Sequence, residues 1–379
     1  MKKTILRPGI LQKNVFLSLL LCIAGYALQA QNAWKPSGKI FIAGGNPYMP
    51  NLHGEIYISE DGAHTWKKVW SKAADGYQVR GIASGNGKIV AVTHKAVLTS
   101  KDAKTWTEVT ALPDKIPGAF EDVTFGDGMF VIVGQSETIM HSADGESWTL
   151  VATANYKTED PAQKEARKKM MEKVNVAKLP GGKSNTGPKE TVEDLIFGLD
   201  TRNHFNAVAY EKGRFILTGS FQRALYLNKE GNDLKITTED YRNAEITNKC
   251  FDVLYTAGKY LLIGDKNYYS TDGKAWNMLP HEHNIKKGVA FGKSNFVAAG
   301  SFGAVIVSAD AATWNKVEVQ GAKNLTTYFD VVYGNGRFLV AGQHGAMAIS
   351  DDDGKTWKNV GTEGQANQQA YQCLAYVQL

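Results

Sequence analysis

Carboxylate side chains recur at one place in an internal repeat of this sequence, and carboxylates held close together can do acid–base chemistry. Asp122, Asp252 and Asp330 each stand near the start of a short apolar run. Glu121 precedes the first of them, and Asp265 follows a later run. Two carboxyl groups about 5 to 9.5 Å apart would suit the hydrolysis of a glycosidic bond. The alternative is that these side chains line a water-filled channel and only hydrogen-bond to water.

A second set of polar and aromatic side chains is expected on the loops beside these carboxylates. His94 and His344 could transfer protons near neutral pH, and aromatic rings could stack on sugars. His281 and His283 alternate along one segment, but a third metal ligand is not visible, so neither a metal site nor a cofactor is predicted. The candidate binding residues are Arg80, His94, Gln135, Arg223, Phe302, Gln343 and His344.

The element that must position these residues is a repeat of about forty residues. Six segments share a Ser-x-Asp sequence, a short Gly/polar stretch and a Trp, and they hold six of the eight tryptophans, which excludes chance. We expect their aspartates to bond to the backbone of the turn and not to do chemistry, because a reaction needs one asymmetric site. The segments are Ser59–Trp66, Ser100–Trp106, Ser142–Trp148, Ser270–Trp276, Ser308–Trp314 and Ser350–Trp357.

Each repeat has four short β-rich runs joined by tight turns, which is the pattern of one propeller blade. The sequence therefore predicts an all-β, seven-bladed β-propeller of four-stranded blades. The first blade is split, because the chain enters it at Lys39–Ala43, in the pattern of a second strand. We expect Gln372–Tyr376 to supply its missing inner strand and so close the ring, which removes exposed sheet edges.

The repeats resemble those of the BNR/Asp-box β-propellers, and the resemblance covers nearly all of residues 31–379. Ser350–Trp357 matches that group's Ser-x-Asp-x-Gly-x-Thr-Trp, while the other five turns are shortened or lack a glycine. The group includes sialidases, some xyloglucan-degrading enzymes, sortilin-type receptors and photosystem II assembly factors, so the resemblance implies a fold without fixing a function. A true sialidase is not expected, because the Arg-Ile-Pro-type signature is missing near the first blade.

The first thirty residues have the composition of a secretory signal peptide. A basic stretch precedes an apolar run from about Val15 to Leu28, and cleavage is expected after Ala30. We therefore expect an exported protein (periplasmic, secreted or at the cell surface) with no integral membrane span and a single propeller over residues 31–379. Without the four basic residues of this segment the formal charge falls from +5 to +1, so nucleic acid is not an expected partner.

An insertion of residues 152–204 interrupts the repeats between the third and fourth blades. Apolar residues at helical spacing between Pro161 and Val174 predict an amphipathic helix within it. On the predicted strand order it emerges on the rim opposite the Asp-box turns. A lid or partner surface over the site and a plain surface excursion both fit this position.

Two functions of different classes are compatible with these observations. The first is a propeller that binds or processes glycans on the rim opposite the Asp-box turns, with the carboxylates and the loop aromatics as its functional groups. The second is a non-catalytic, protein-binding or assembly propeller, like the assembly factors of the same group. Export and the polar, uneven rim favour the glycan ligand at this point, with a protein ligand as the alternative.

Overall fold

The computed structural model describes most of the repeat region. The predicted signal segment, residues 1–30, lies outside the described residues, as does the predicted insertion 152–204 apart from His204. Within the described ranges no helix is long and apolar enough to cross a membrane. The described residues are 38–47, 53–151, 204–219, 224–236, 250–279, 285–322, 326–361 and 369–379.

These residues form seven sheets in a ring, each with four antiparallel strands and the seventh with one added parallel strand, which confirms the predicted seven-bladed propeller. Two 3-10 turns, Gln135–Glu137 and Gln343–Gly345, follow the second strands of blades three and seven. Blade one contains β1 (Lys39–Pro47), β2 (Gly54–Ser59), β3 (Lys67–Lys72) and the last strand, β29 (Gln369–Gln378); blade two contains β4 (Val79–Gly85), β5 (Lys88–Thr93), β6 (Val97–Ser100) and β7 (Thr107–Glu108); blade three contains β8 (Phe120–Gly126), β9 (Met129–Gly134), β10 (Ile139–Ser142) and β11 (Thr149–Leu150). Blade four contains β12 (Phe205–Glu211), β13 (Arg214–Gly219), β14 (Ala224–Glu230) and β15 (Asp233–Ile236); blade five contains β16 (Cys250–Thr256), β17 (Lys259–Gly264), β18 (Tyr268–Ser270) and β19 (Asn277–Met278). Blade six contains β20 (Ile285–Phe291), β21 (Phe296–Gly300), β22 (Val305–Ser308) and β23 (Asn315–Val317); the sheet of blade seven contains β24 (Val319–Gln320), β25 (Tyr328–Gly334), β26 (Arg337–Gly342), β27 (Met347–Ser350) and β28 (Trp357–Asn359).

The ring closes through the last strand of the chain. β29 pairs antiparallel with β1, with Lys39 opposite Gln378 and Ala43 opposite Leu374, so β29 is the inner strand of blade one. The predicted pairing of the two ends is confirmed. It converts the entering and leaving segments into one four-stranded sheet and leaves neither strand as an open inner edge.

At three of the described contacts between neighbouring blades, an aromatic residue of one inner strand lies over a glycine of the previous inner strand. A Cβ at Gly85 would lie 2.2 Å from the ring of Phe125, and a Cβ at Gly126 would lie 2.0 Å from that of Tyr210. Each ring also contacts the aromatic residue on its own second strand, as Phe125 does with Phe130 at 4.7 Å between centroids. The glycines are therefore required by close packing between blades.

The Asp-box turns are held by local hydrogen bonds. In blade two, Asp102 Oδ1 accepts the backbone N–H groups of Lys104 (2.8 Å) and Thr105 (2.7 Å), while Ser100 Oγ donates to it at 3.1 Å. Trp106 Nε1 donates to the carbonyl of Ala103 at 3.0 Å. Partial burial opposes ionisation, but these hydrogen bonds lower the pKa of Asp102 below its usual value. The turn is thus a self-contained structural unit.

Candidate functional site

A cavity of about 280 Å³ lies where the inner strands of the blades meet at the ring axis. Because inner strands start on the rim opposite the Asp-box turns, residues at their starts surround one end of this channel. We call the first layer the channel mouth: Arg80, Glu121, Asn206, Phe251, Phe329 and Gln372. The next residue along each strand forms a deeper layer that includes Gly81, Asp122, Asp252, Gly288, Asp330 and Cys373.

The three axial aspartates, Asp122, Asp252 and Asp330, each bridge two neighbouring blades. One oxygen accepts the N–H of the next residue: Asp122 from Val123, Asp252 from Val253 and Asp330 from Val331, at 2.8, 2.7 and 2.7 Å. The other oxygen accepts an N–H from the inner strand of the following blade. Those donors are Val208 (2.9 Å), Val289 (2.8 Å) and Leu374 (2.6 Å).

Small residues precede each axial aspartate around the ring. Gly81, Ala207 and Gly288 occupy the equivalent places in blades two, four and six. A Cβ at Gly81 would lie 2.7 Å from Asp122 Oδ1, and one at Gly288 would lie 2.7 Å from the Cα of Asp330. The alternation of small and acidic residues therefore follows from the room that each bridging aspartate needs.

The environment of the axial aspartates opposes their ionisation. They are partly accessible from the channel, yet protein surrounds the carboxyl groups, and this burial raises the pKa of Asp252 to about 6. Burial, with added repulsion from Asp252, raises the pKa of Asp122 to about 8. The same two causes raise the pKa of Asp330 well above its usual value. The backbone hydrogen bonds on both oxygens act in the opposite direction but are outweighed.

Glu121 belongs to a different cluster, at the channel mouth. Arg80 donates to its Oε2 through Nε (3.0 Å) and Nη2 (2.8 Å), and Gln135 Nε2 donates to Oε1 at 2.8 Å. His94 Nε2 makes a longer contact of 3.5 Å with Oε1. Although burial opposes ionisation, the contact with His94, the charge of Arg80 and the Gln135 bond hold the pKa of Glu121 at about 2. Glu121 therefore stays ionised at neutral pH.

The remaining candidates from the sequence lie away from this cavity. Asp265 is exposed, and Phe302 and His344 are exposed on turns with positive φ (59° and 55°). Gln343 is half-buried beside His344 and does not line the cavity. Arg223 lies outside the described residues.

In the described part of the chain, no three His, Cys, Asp or Glu side chains converge as metal ligands. His281 and His283, the pair noted in the sequence, lie outside it.

Two phenylalanines at the channel mouth were not among the sequence candidates. Phe251 and Phe329 are half-buried and stand at the repeat position of Arg80 and Glu121, one residue before the axial layer. The repeat alignment places both of them near the axis. An aromatic ring carries no acid–base chemistry, so its residue type alone did not indicate a functional role.

Comparisons with known proteins bear on the fold. No family model matches the chain, and no curated protein matches it. Among solved structures, a putative 6-phosphogluconolactonase from Bacteroides uniformis aligns with a TM-score of 0.55 and 11% identity, covering 89% of this chain and 99% of the other. Virginiamycin B lyase from Staphylococcus aureus aligns with a TM-score of 0.50 and 10% identity, covering 79% and 95%.

A third solved structure, YCF48 bound to a D1 peptide, aligns with a TM-score of 0.48 and 14% identity, covering 81% of this chain and 91% of the other. At these identities a structural likeness extends to the fold alone. Membership of the BNR/Asp-box group stays a prediction from the turn sequences. The chain is a β-propeller.

Proposed function

We propose that this protein is a non-catalytic propeller that binds a peptide segment of a partner protein at the channel mouth. The observation that supports this proposal is that the carboxylates at the axis are already engaged by the protein. Each axial aspartate accepts one backbone N–H on each oxygen, and Glu121 is paired with Arg80. These contacts stabilise the ring and the mouth.

Glycoside hydrolysis needs a general acid and a second carboxyl group that are free to reach the substrate, and these contacts leave neither free. A general acid must hold a proton near neutral pH and present it to the leaving oxygen, and its partner must reach the sugar from the other side. Glu121 cannot donate a proton, because its pKa is about 2. The axial aspartates hold protons more readily, but both oxygens of each already accept backbone N–H groups.

The channel mouth instead has the composition of a protein-binding surface. Phe251 and Phe329 flank one side of the channel, in blades five and seven, and Arg80 and Glu121 flank the other, in blades two and three. Aromatic residues and arginine are the types that most often anchor protein interfaces. A peptide lying across the mouth would bury apolar side chains at one end and meet hydrogen-bonding groups at the other.

The test is selection of peptides from a displayed random library on the full chain, followed by affinity measurement with Phe329→Ala and Phe251→Ala. Each variant should weaken binding by about tenfold or more, the effect of removing an interface anchor. Met278→Ala is the matched control, because Met278 is 58% exposed on an outer strand of blade five, away from the mouth.

A glycan array and a panel of chromogenic glycosides run beside the peptide selection. The proposal expects no turnover of any glycoside and no glycan whose binding depends on Phe251 or Phe329. Turnover that disappears in Asp252→Asn would overturn it in favour of a glycan-processing enzyme. Selected peptides that bind Phe329→Ala, Phe251→Ala and Met278→Ala as tightly as the wild type would also overturn it, because the channel mouth would then not be their binding site.

A further inference from the structure

We infer that the three axial aspartates form a proton-operated lock on alternate seams of the ring. A seam here is the contact between the inner strands of two neighbouring blades. Asp122 spans the seam of blades three and four, Asp252 that of five and six, and Asp330 that of seven and one. This inference does not depend on what the channel mouth binds.

The bridges join segments that are far apart in the chain. Asp122 and Val208 are 86 residues apart, Asp252 and Val289 are 37 apart, and Asp330 and Leu374 are 44 apart. The seam of blades seven and one joins β25 to β29, whose pairing with β1 closes the ring. A change in the charge of these carboxyl groups therefore acts directly on contacts between blades.

The described groups that face the lock carry little compensating charge. Arg80 is the cation whose charge acts on Asp122, but it is ion-paired with Glu121. Cys373, between Asp330 and Gly44, stays a neutral thiol, because burial and the charge of Asp330 raise its pKa well above the usual value. Asn206, Phe251, Phe329 and Gln372 at the mouth are uncharged. Among the side chains that the structure describes here, the axial aspartates are therefore the groups whose protonation sets the charge of this layer.

The direction of the response follows from proton linkage. Asp252 and Asp122 have folded pKa values of about 6 and about 8, above the value of 3.8 for an unperturbed aspartate, and the pKa of Asp330 is raised too. The folded ring then holds more protons than the unfolded chain, so its stability is greatest below about pH 4 as far as these groups are concerned and falls as pH rises through about 6 to 8. Negative charge then accumulates around one small cavity, and repulsion between the carboxylates weakens the seams.

The direct experiment is a carboxyl-carbon NMR titration of the full chain with labelled aspartate, from about pH 3 to about pH 9. Three resonances should titrate well above the ordinary range, with midpoints near 6 for Asp252 and near 8 for Asp122. Single Asp→Asn variants assign them. If every aspartate resonance titrates below about pH 5, the lock does not exist.

A second measurement links the titration to the seams. The melting temperature of the wild type should fall by several degrees between about pH 5.5 and about pH 8.5, and Asp122→Asn, Asp252→Asn and their double variant should progressively flatten that fall. The control is the double variant Asp102→Asn and Asp310→Asn, which changes two turn aspartates and should keep the full fall. An equal fall in all of these proteins overturns the inference, and the NMR titration decides it should an axial variant fail to fold.

Discussion

Two sets of aspartates in this molecule make similar hydrogen bonds and have opposite ionisation behaviour. Asp102, in an Asp-box turn, accepts backbone N–H groups at 2.8 and 2.7 Å, and Asp252, at the axis, accepts two at 2.7 and 2.8 Å. The pKa of Asp102 is lowered, whereas that of Asp252 is raised to about 6. Hydrogen bonding alone therefore does not decide the charge of these residues.

The difference is where the bonds lie. Asp102 bonds only to groups within three residues, at an exposed turn where water still solvates its charge. Asp252 bonds across a seam, inside the ring, in a cavity that other carboxyl groups also line. The turn aspartates thus stabilise single blades, and the axial aspartates hold neighbouring blades together at a cost in desolvation.

The largest effect is expected when an axial bridge is removed. Asp330→Ala leaves the N–H groups of Val331 and Leu374 without their acceptor at the seam that closes the ring. We expect a loss of about 2–4 kcal/mol in the free energy of unfolding, measured by urea denaturation. Asp310→Ala, in an exposed turn, is the control and should cost about 1 kcal/mol. Equal losses would remove the distinction between the two sets.

A smaller effect tests how closely the seams are packed. Gly288 has a φ of +55°, and a Cβ there would lie 2.7 Å from the Cα of Asp330. Gly288→Ala should therefore cost about 1–3 kcal/mol from backbone strain and collision together. Gly128→Ala gives the cost of positive φ alone, because its φ is +75° and nothing lies within 4 Å of the added Cβ. The difference between the two variants measures the collision.

The turn aspartates should dominate the acid side of the stability curve. Backbone and side-chain hydrogen bonds, against some burial, hold the pKa of Asp144 at about 2, below its unfolded value. A depressed folded pKa gives stability that is present above about pH 4 and lost as pH falls toward about 2. The stability difference between wild type and Asp144→Asn should shrink over that range. A difference that stays constant down to pH 2 would show that the turn charge contributes nothing.

The smallest effect concerns variation among the turns themselves. Trp357 Nε1 donates to the carbonyl of Gly354 at 2.9 Å, whereas Trp276 Nε1 has no partner among the described residues. The equivalent carbonyl, of Gly273, instead accepts from Tyr226 of blade four. Trp357→Phe should therefore cost about 1 kcal/mol more than Trp276→Phe in thermal unfolding. Identical costs would mean that the indole hydrogen bond does not matter in these turns.

The fold was predictable because its signals are local and repeated. Each Asp-box turn is complete within eight residues, and the second-strand pattern at Lys39–Ala43 predicted where β29 would pair. The repeat alignment also placed Asp122, Asp252 and Asp330 in one layer. Their role as bridges could not be predicted, because the donors Val208, Val289 and Leu374 belong to other blades and their N–H groups carry no signal in the sequence.

The pairing of Arg80 with Glu121 was hidden for the same reason. The two residues are 41 positions apart and meet only when blades two and three are packed together. From the sequence alone, Arg80 was a candidate for binding and Glu121 a candidate for catalysis. In the structure the two side chains are paired and hold each other in place, so the glycan-processing hypothesis loses one of its candidate acids.

The central claim is that the axial carboxylates are structural, and one variant tests it most directly. Asp252→Asn and wild type should be compared in the same preparations for the free energy of unfolding and for turnover of a glycoside panel. The account predicts a changed unfolding free energy, because the carboxylate shared by Val253 and Val289 is gone, and no turnover by either protein. Wild-type turnover that is lost in Asp252→Asn with unfolding unchanged would contradict it.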